Sequence, residues 1–176
     1  QARKLAAARA REAELARQEA ELAAAIAADD ITDASPPPLS REGGREVYTL
    51  GGDAFGSGSA SLTAQAQASL RALAGVLGSG SISIEGHTDS DGSDNYNMAL
   101  GARRGASIYS VMISAHPELL GFRNLQRQPV LSVASYGEGR PIADEALQGG
   151  KDANRRIDIR FIMFAPATEE AIPLSI

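Results

Sequence analysis

The sequence predicts a small α/β domain, in which two main helices pack on a mixed four-stranded sheet. A helix and a Pro-rich linker precede this domain. Hydrophobic residues switch repeatedly between a period of two and a period of three to four, giving the order strand, helix, strand, helix, strand, strand. Residues 1–28 lack this pattern and are rich in Ala and charge, and Pro36, Pro37 and Pro38 follow them. We therefore place the domain at 46–164.

Composition restricts the classes of function. The chain has 176 residues, a net charge of -5 and no Cys. An acidic balance argues against a nucleic-acid partner, and the lack of Cys excludes a thiolate metal site. No run of eighteen apolar residues occurs. Because the first residue is Gln1, we expect an upstream segment that the sequence does not include.

Residues 1–28 carry a seven-residue repeat. Leu15 and Leu22 share one heptad position, but Glu12 and Glu19 share the other core position. Acidic residues on that seam weaken a coiled coil. The pattern favours a solvated single helix or spacer, and a parallel helix pair held together by a partner or an anchor is the alternative.

The linker is placed at 29–45, because three prolines in succession favour an extended chain. Within the domain, the predicted elements are a strand at 46–50, a helix from Ser61 or Thr63 to about Leu77, a strand beginning near Ser81, a helix ending near His116, and strands at 130–136 and 154–164. The tail, 165–176, is expected to lie on the surface.

The stretch 81–108 combines a strand, a polar loop and a helix. Helical spacing puts Asn97 and Arg104 on the same face as apolar residues such as Leu100 and Ile108. A guanidinium on a core-facing stripe requires an anionic partner. The nearest candidate is Asp89, so we expect the loop and the helix to converge there.

This stretch resembles the signature of the OmpA C-terminal-like domain, which OmpA, Pal and MotB-type stator subunits share. The matching residues, in the spacing of that family, are Gly86, His87, Thr88, Asp89, Gly92, Asn97, Leu100 and Arg104. Three further segments agree in order: 55–62, 135–144 and 152–159. The resemblance extends over about 46–163.

Four positions depart from the family pattern. Gly101 and Gly105 stand where Ser and Ala are usual, Ser135 stands where Gly is usual, and Asp152 stands where Arg is frequent. A Gly within a helix costs about 1 kcal/mol relative to Ala. These departures therefore concern local stability more than function.

The resemblance implies non-catalytic binding of peptidoglycan through the meso-diaminopimelate of its stem peptide. Asp89 would accept from the ligand ammonium, and Arg104 would form two parallel bonds with the ligand carboxylate. Asn97 would hold the loop or touch the ligand, and Thr88 and the amides of 91–93 would complete the rim of the site. Arg155, by motif match, would add a second positive group, whereas the adjacent Asn154 is expected to be structural. The alternative is an internal Asp89–Arg104 ion pair that locks the loop to the helix.

The resemblance also implies a cellular setting. Residues 55–62 and 154–163 most resemble the corresponding segments of MotB-type stator subunits, including those of flagellar motors and Zorya-like defence systems. Such a protein would be periplasmic in a Gram-negative cell, anchored in the inner membrane, homodimeric and joined to a membrane-channel subunit. The alternatives are a protein-interaction or dimerisation module without wall binding, and the wall-anchoring domain of an outer-membrane porin or Pal-like lipoprotein.

Other chemistry has little support in the sequence. His87 is expected to be a packed or rim residue at a strand end, and His116 lies at the far end of the helix, so we predict neither a metal site nor a cofactor. Serines such as Ser59 have no His–Asp partners, and a wall-cleaving enzyme is the last-ranked alternative. A weak calcium hypothesis remains for the spacing of Asp89, Asp91 and Asp94.

Overall fold

The computed structural model describes residues 2–42, 45–56, 58–76, 82–120 and 131–161. The helices are α1 (Ala2–Asp29), α2 (Ala64–Val76), α3 (Asp94–Ala115) and α4 (Gly150–Asn154). The strands are β1 (Leu39–Glu42), β2 (Arg45–Gly51), β3 (Ile82–His87), β4 (Leu131–Gly137) and β5 (Arg156–Phe161). Short 3-10 turns cover Gly52–Ala54 and Pro117–Leu120. The predicted surface tail, 165–176, lies outside the described residues.

The strands form one mixed sheet in the order β1-β2-β5-β3-β4. β3 and β4 are parallel, and the other neighbours are antiparallel. This confirms the predicted α/β architecture, but the prediction of four strands was wrong. The fifth strand, β1, lies inside the predicted linker. All four of its residues are exposed, so no alternation of buried residues marked it in the sequence.

The core lies between one face of the sheet and the helices α2 and α3. Ile84 on β3 stands opposite Ile159 on β5, and both are fully buried. From α2, Leu70 and Leu73 are also fully buried in this cluster, as is Ile108 from α3. Side chains alternate along a strand, so the residues between these isoleucines point to the opposite face.

The predicted N-terminal helix is present as α1, and its C-terminal end packs on α2. Ala28 is buried, and Arg71 of α2 forms an ion pair with Asp29 at 2.5 Å. Leu15 and Leu22 are 57% and 62% exposed, so the heptad seam has no partner among the described residues. The division of the chain into spacer, linker and domain stays a prediction. Within the described ranges, no helix has the length and apolar character needed to cross a bilayer.

Close approach of α3 to the sheet explains two of the departures from the family pattern. A Cβ on Gly101 would overlap Ser135 Oγ on β4 and lie 3.3 Å from the carbonyl oxygen of Gly86. The Ser135 hydroxyl instead donates to the carbonyl of Met98 at 2.7 Å. The serine at 135 thus occupies the space that a serine at 101 would need. Gly101 and Ser135 compensate for each other.

Exchanging these two residues tests this compensation. We expect Gly101→Ser alone to destabilise the fold by about 1–2 kcal/mol through overpacking. Ser135→Gly alone should cost about 1 kcal/mol through the lost hydrogen bond. The double variant should lose less than the sum, with a coupling of roughly 1 kcal/mol in urea unfolding. Strict additivity would contradict the compensation.

Candidate functional site

The site forms where the C-terminal end of β3, the N-terminus of α3 and the start of β5 meet. Asp89 follows β3 and is 6% exposed. Its Oδ2 accepts from Arg155 Nη1 at 2.7 Å, and its Oδ1 accepts from the amide of Asp91 at 3.0 Å. The carboxylate is therefore held in place from two sides.

Thr88 and Asn97 hold the backbone next to that carboxylate. Thr88 Oγ1 donates to the carbonyl of Asp89 at 2.9 Å, and Asn97 Nδ2 donates to the same carbonyl at 3.3 Å. The Thr88 amide also donates to the carbonyl of Gly137 at 2.8 Å, which joins the loop to the end of β4. Both side chains are buried. They fix the orientation of Asp89.

Arg155 is the ion-pair partner of Asp89, which corrects the predicted Asp89–Arg104 pair. The Arg155 side chain is 40% exposed, and its other Nη lies 3.5 Å from Asp152. Asp152 stands where the family often has Arg, so this contact is a further consequence of the departures. Arg155 directly precedes β5, and the pairing of β5 with β3 brings it close to Asp89, two residues after the end of β3.

Arg104 is buried beside this pair, with different partners. Its Nε donates to the carbonyl of Ser59 at 2.8 Å, and its Nη2 donates to the carbonyl of Gly56 at 3.4 Å. The guanidinium carbon lies 4.8 Å from the centre of the Phe55 ring. Burial lowers the pKa of Arg104, and the charge of Asp89 acts in the opposite direction. The cation is thus held by carbonyl groups and an aromatic face.

The rim of the site is anchored by polar contacts around 138–154. Asn154 is fully buried, accepts from the amides of Ile142 and Ala143, and donates to Glu145 Oε2 at 3.0 Å. Glu145 in turn accepts from the Ser90 hydroxyl at 2.5 Å. The structural role predicted for Asn154 is confirmed.

The contacts of Asp89, Asp91 and Asp94 contradict the calcium hypothesis. Asp89 pairs with Arg155, and Asp91 pairs with Lys151 Nζ at 2.9 Å. Asp94 contacts Glu138, and this contact raises the pKa of the Glu138 carboxyl. The three predicted carboxylates therefore point to three different partners and do not converge on one ion.

The site can hold a group that carries both charges. Two of the five N–H groups of Arg104 are bonded to carbonyls, which leaves both N–H groups of Nη1 and one of Nη2 free of partners in the described chain. These groups form the end-on edge that matches a carboxylate. Asp89 supplies a carboxylate whose only charged partner among the described residues is the half-exposed Arg155.

A second polar layer lies behind the site, on the sheet face opposite the helices. His87 is 2% exposed, as expected for a packed residue, and its ring stacks on Tyr136 with centroids 5.3 Å apart. Its Nε2 lies 3.7 Å from Asp158 and 4.0 Å from Glu85, and neither ring nitrogen has a hydrogen bond within the described ranges.

These three side chains could be taken for metal ligands, since their ligand atoms lie within 4.8 Å of one another. However, the nearest oxygens are occupied. Arg156 Nε bonds Asp158 Oδ2, and Arg160 Nε bonds Glu85 Oε1, each at 3.1 Å. A cation would have to displace two guanidinium groups, so the arrangement is better suited to an ion-pair layer.

The buried His87 makes stability sensitive to acid. Burial, with the nearby Arg156, lowers its pKa from 6.5 to about 4. The folded protein therefore binds fewer protons than the unfolded chain between these values, and stability should fall as the pH falls from about 6.5 to 4. The loss expected from His87 is about 3 kcal/mol. His87→Phe should remove this part of the slope in urea unfolding, and His116→Gln, a control at a half-exposed position, should keep it. An unchanged slope in His87→Phe would contradict this.

Sequence reasoning missed several members of the site. Glu145 lies in a loop and Lys151 in the short helix α4, and neither stretch has a recognisable pattern. The groups that hold Arg104 are backbone carbonyls, which leave no signal in side-chain identity. Arg155 was predicted as a ligand group rather than as the partner of Asp89. The four predicted residues Thr88, Asp89, Asn97 and Arg155 are connected by direct contacts, and Arg104 is held separately.

Comparisons with known proteins bear on the family and the fold of the chain. Residues 54–155, more than half of the chain, match the model of the OmpA family. The chain is 38% identical over 78 residues to outer membrane porin F of Pseudomonas aeruginosa, covering 44% of this chain and 20% of porin F. It is 35% identical over 86 residues to the peptidoglycan-associated lipoprotein of the same species, covering 48% of this chain and 46% of the lipoprotein. The chain thus spans less than half the length of these relatives.

Solved structures share the fold at low identity. The cell wall anchor of the T6SS from Pseudomonas aeruginosa has a TM-score of 0.59 at 22% identity, covering 82% of this chain and 95% of that one. The periplasmic domain of Helicobacter pylori MotB has a TM-score of 0.58 at 19% identity, covering 82% and 92%. At these identities the likeness concerns the fold alone.

Proposed function

The chain belongs to the OmpA family, and from this premise we propose that it binds peptidoglycan without catalysis and anchors a larger protein to the cell wall. Family membership itself implies wall binding. The name of the similar peptidoglycan-associated lipoprotein supports the same function. The ligand group would be the meso-diaminopimelate of the stem peptide, held between Asp89 and Arg104.

The observation that carries the proposal is the pairing of one buried carboxylate with one buried, incompletely bonded guanidinium. Asp89 is 6% exposed and Arg104 is 5% exposed, and they have different partners. The free end of meso-diaminopimelate carries an ammonium and a carboxylate on one carbon. The site matches such a group, because the ligand ammonium would lie against the Asp89 carboxylate and the ligand carboxylate against the Arg104 guanidinium.

Binding would require Asp89 to exchange one partner for another. The ligand ammonium would replace Arg155, whose side chain is 40% exposed and can turn toward solvent. Arg155 would then be free to meet a ligand carboxylate. Arg104 needs no such exchange, because three of its five N–H groups have no hydrogen-bond partner among the described residues. Thr88 and Asn97 would keep the Asp89 loop in place throughout.

Cosedimentation with purified sacculi of the diaminopimelate type tests this function. The whole chain is expected to sediment with the sacculi, and free meso-diaminopimelate in excess should release it. A chain that stays in the supernatant would contradict the proposal. Release of soluble muropeptides during the incubation would contradict the non-catalytic assignment.

We further propose that the anchored protein is a MotB-type stator subunit, placed in the periplasm and held in the inner membrane. The support is the segment 55–62, whose sequence resembles the corresponding segment of MotB-type subunits. Its Phe55 ring packs against Arg104. A gene with one upstream transmembrane helix that carries Asp would agree. A lipobox Cys or an upstream β-barrel would instead indicate a Pal-like lipoprotein or a porin.

A homodimer through α1 is proposed from its exposed seam. Leu15, Leu22 and Ile26 are 57–62% exposed at heptad spacing. If this seam pairs with a second copy, light scattering should give the dimer mass for the wild type, and Leu15→Glu with Leu22→Glu should give the monomer. A monomeric wild type at high concentration would contradict the pairing.

A further inference from the structure

The carbonyl cradle of Arg104 belongs to a segment that has few regular hydrogen bonds of its own. Phe55 and Leu62 form an isolated β-bridge, and we call the described residues between them, 56 and 58–61, the turn. The amide of Ser59 donates to the carbonyl of Gly56 at 2.9 Å, and Gly58 has a φ of 62°. The two carbonyls that hold Arg104 are those of Gly56 and Ser59, so the position of this turn determines the orientation of the guanidinium.

One side chain of α3 fastens this turn to the helix that carries Arg104. Ser107 Oγ donates to the carbonyl of Ala60 at 2.7 Å. The same oxygen lies 3.1 Å from the carbonyl of Arg103 on its own helix, but a hydroxyl has one proton, and the contact with Ala60 is the shorter. Ala60 directly follows Ser59, whose carbonyl accepts from Arg104 Nε.

The positions of Arg104 and Ser107 on α3 allow both side chains to reach the turn. Residues three apart lie on the same side of a helix, one turn from each other. Arg104 and Ser107 therefore hold consecutive peptide groups of the turn, one through a guanidinium and the other through a hydroxyl. On the other side, the Tyr96 hydroxyl lies close to Gly58, 3.1 Å from where a Cβ would stand. Side chains of α3 thus lie against the turn at Gly58, Ser59 and Ala60.

We propose that Ser107 is a positioning residue for ligand binding: through the carbonyl of Ala60 it holds the turn whose carbonyls orient Arg104. This inference rests on the proposed function, since it treats Arg104 as the group that meets the ligand carboxylate. Ser107 does not itself touch the ligand. Without its hydroxyl, the turn can move from α3, and the end-on edge of Arg104 loses its fixed direction.

Ser107→Val and Ser107→Thr form a matched pair that differs only in the hydroxyl, and the exposed Ser110→Ala on the next turn is the control. The first measurement is solvent exchange of the Arg104 Nε proton by NMR in the whole, ligand-free chain. We expect faster exchange in Ser107→Val than in Ser107→Thr, with wild-type exchange in Ser110→Ala. Both variants should keep the circular dichroism spectrum of the wild type, which separates loss of position from loss of fold.

The second measurement is affinity for a purified muropeptide that contains meso-diaminopimelate. Ser107→Val is expected to bind about fivefold more weakly than Ser107→Thr. Equal Nε exchange in the matched pair would overturn the positioning role, whatever the affinities. A wild type that fails to bind the muropeptide would overturn the proposed function, while the exchange measurement would still decide whether Ser107 positions Arg104.

Discussion

Replacing Asp89 by Asn, or Arg104 by Lys, is expected to weaken muropeptide binding by about tenfold to a hundredfold. Asn preserves the shape of Asp89 but removes the charge that attracts the ligand ammonium. Lys preserves the charge of Arg104 but lacks the planar guanidinium that forms two parallel bonds with a carboxylate. Isothermal titration of each whole-chain variant with a diaminopimelate muropeptide measures the effect.

The chain supplies close controls for both changes. Asp91→Asn changes an exposed carboxylate of the same loop, which pairs with Lys151 at the rim. Arg103→Lys changes the exposed neighbour of Arg104. Both controls should bind within about twofold of the wild type, since surface charges contribute little. If Asp89→Asn and Arg104→Lys are folded and bind as tightly as the controls, the assigned roles are wrong.

Gly86→Ala is expected to destabilise the protein by about 3 kcal/mol or to prevent folding. A Cβ at this position would overlap the carbonyl oxygen of Gly101 and lie 2.7 Å from its Cα. These are backbone atoms of a packed helix, so no side-chain rotation relieves the overlap. Urea unfolding followed by circular dichroism measures the loss.

Gly149→Ala is the comparison for Gly86→Ala, because it strains the backbone without introducing a steric overlap. Its φ is 80°, but a Cβ there would meet no atom within 4 Å. We expect a smaller loss, on the order of 1 kcal/mol, from the left-handed conformation alone. Equal losses at the two positions would show that contact between β3 and α3 is not the cause at Gly86.

Helices and strands were predicted correctly where the hydrophobic pattern lies within a single element. The alternation at 46–50 and 130–136 marks strands that the structure has at Arg45–Gly51 and Leu131–Gly137. The helix containing Arg104 was predicted from its apolar face. β1 was missed because an exposed edge strand has no buried side to create a period of two.

It was harder to predict which residues of the site contact one another than to predict which residues belong to it. Asp89 and Arg155 are 66 residues apart, and only the pairing of β3 with β5 brings them together. Arg104 was assigned a carboxylate partner, since a buried cation requires compensation. Its compensation comes instead from the carbonyls of Gly56 and Ser59, and backbone carbonyls are present at every residue, so no sequence pattern distinguishes them.

We propose that the site recognises the zwitterionic end of diaminopimelate. The most direct measurement compares the affinity of the wild-type chain for two muropeptides that differ only in carrying meso-diaminopimelate or lysine at the third stem position. Lysine keeps the ammonium for Asp89 but lacks the carboxylate for Arg104. We expect the lysine form to bind at least about tenfold more weakly. Equal affinity for both forms would contradict the claim.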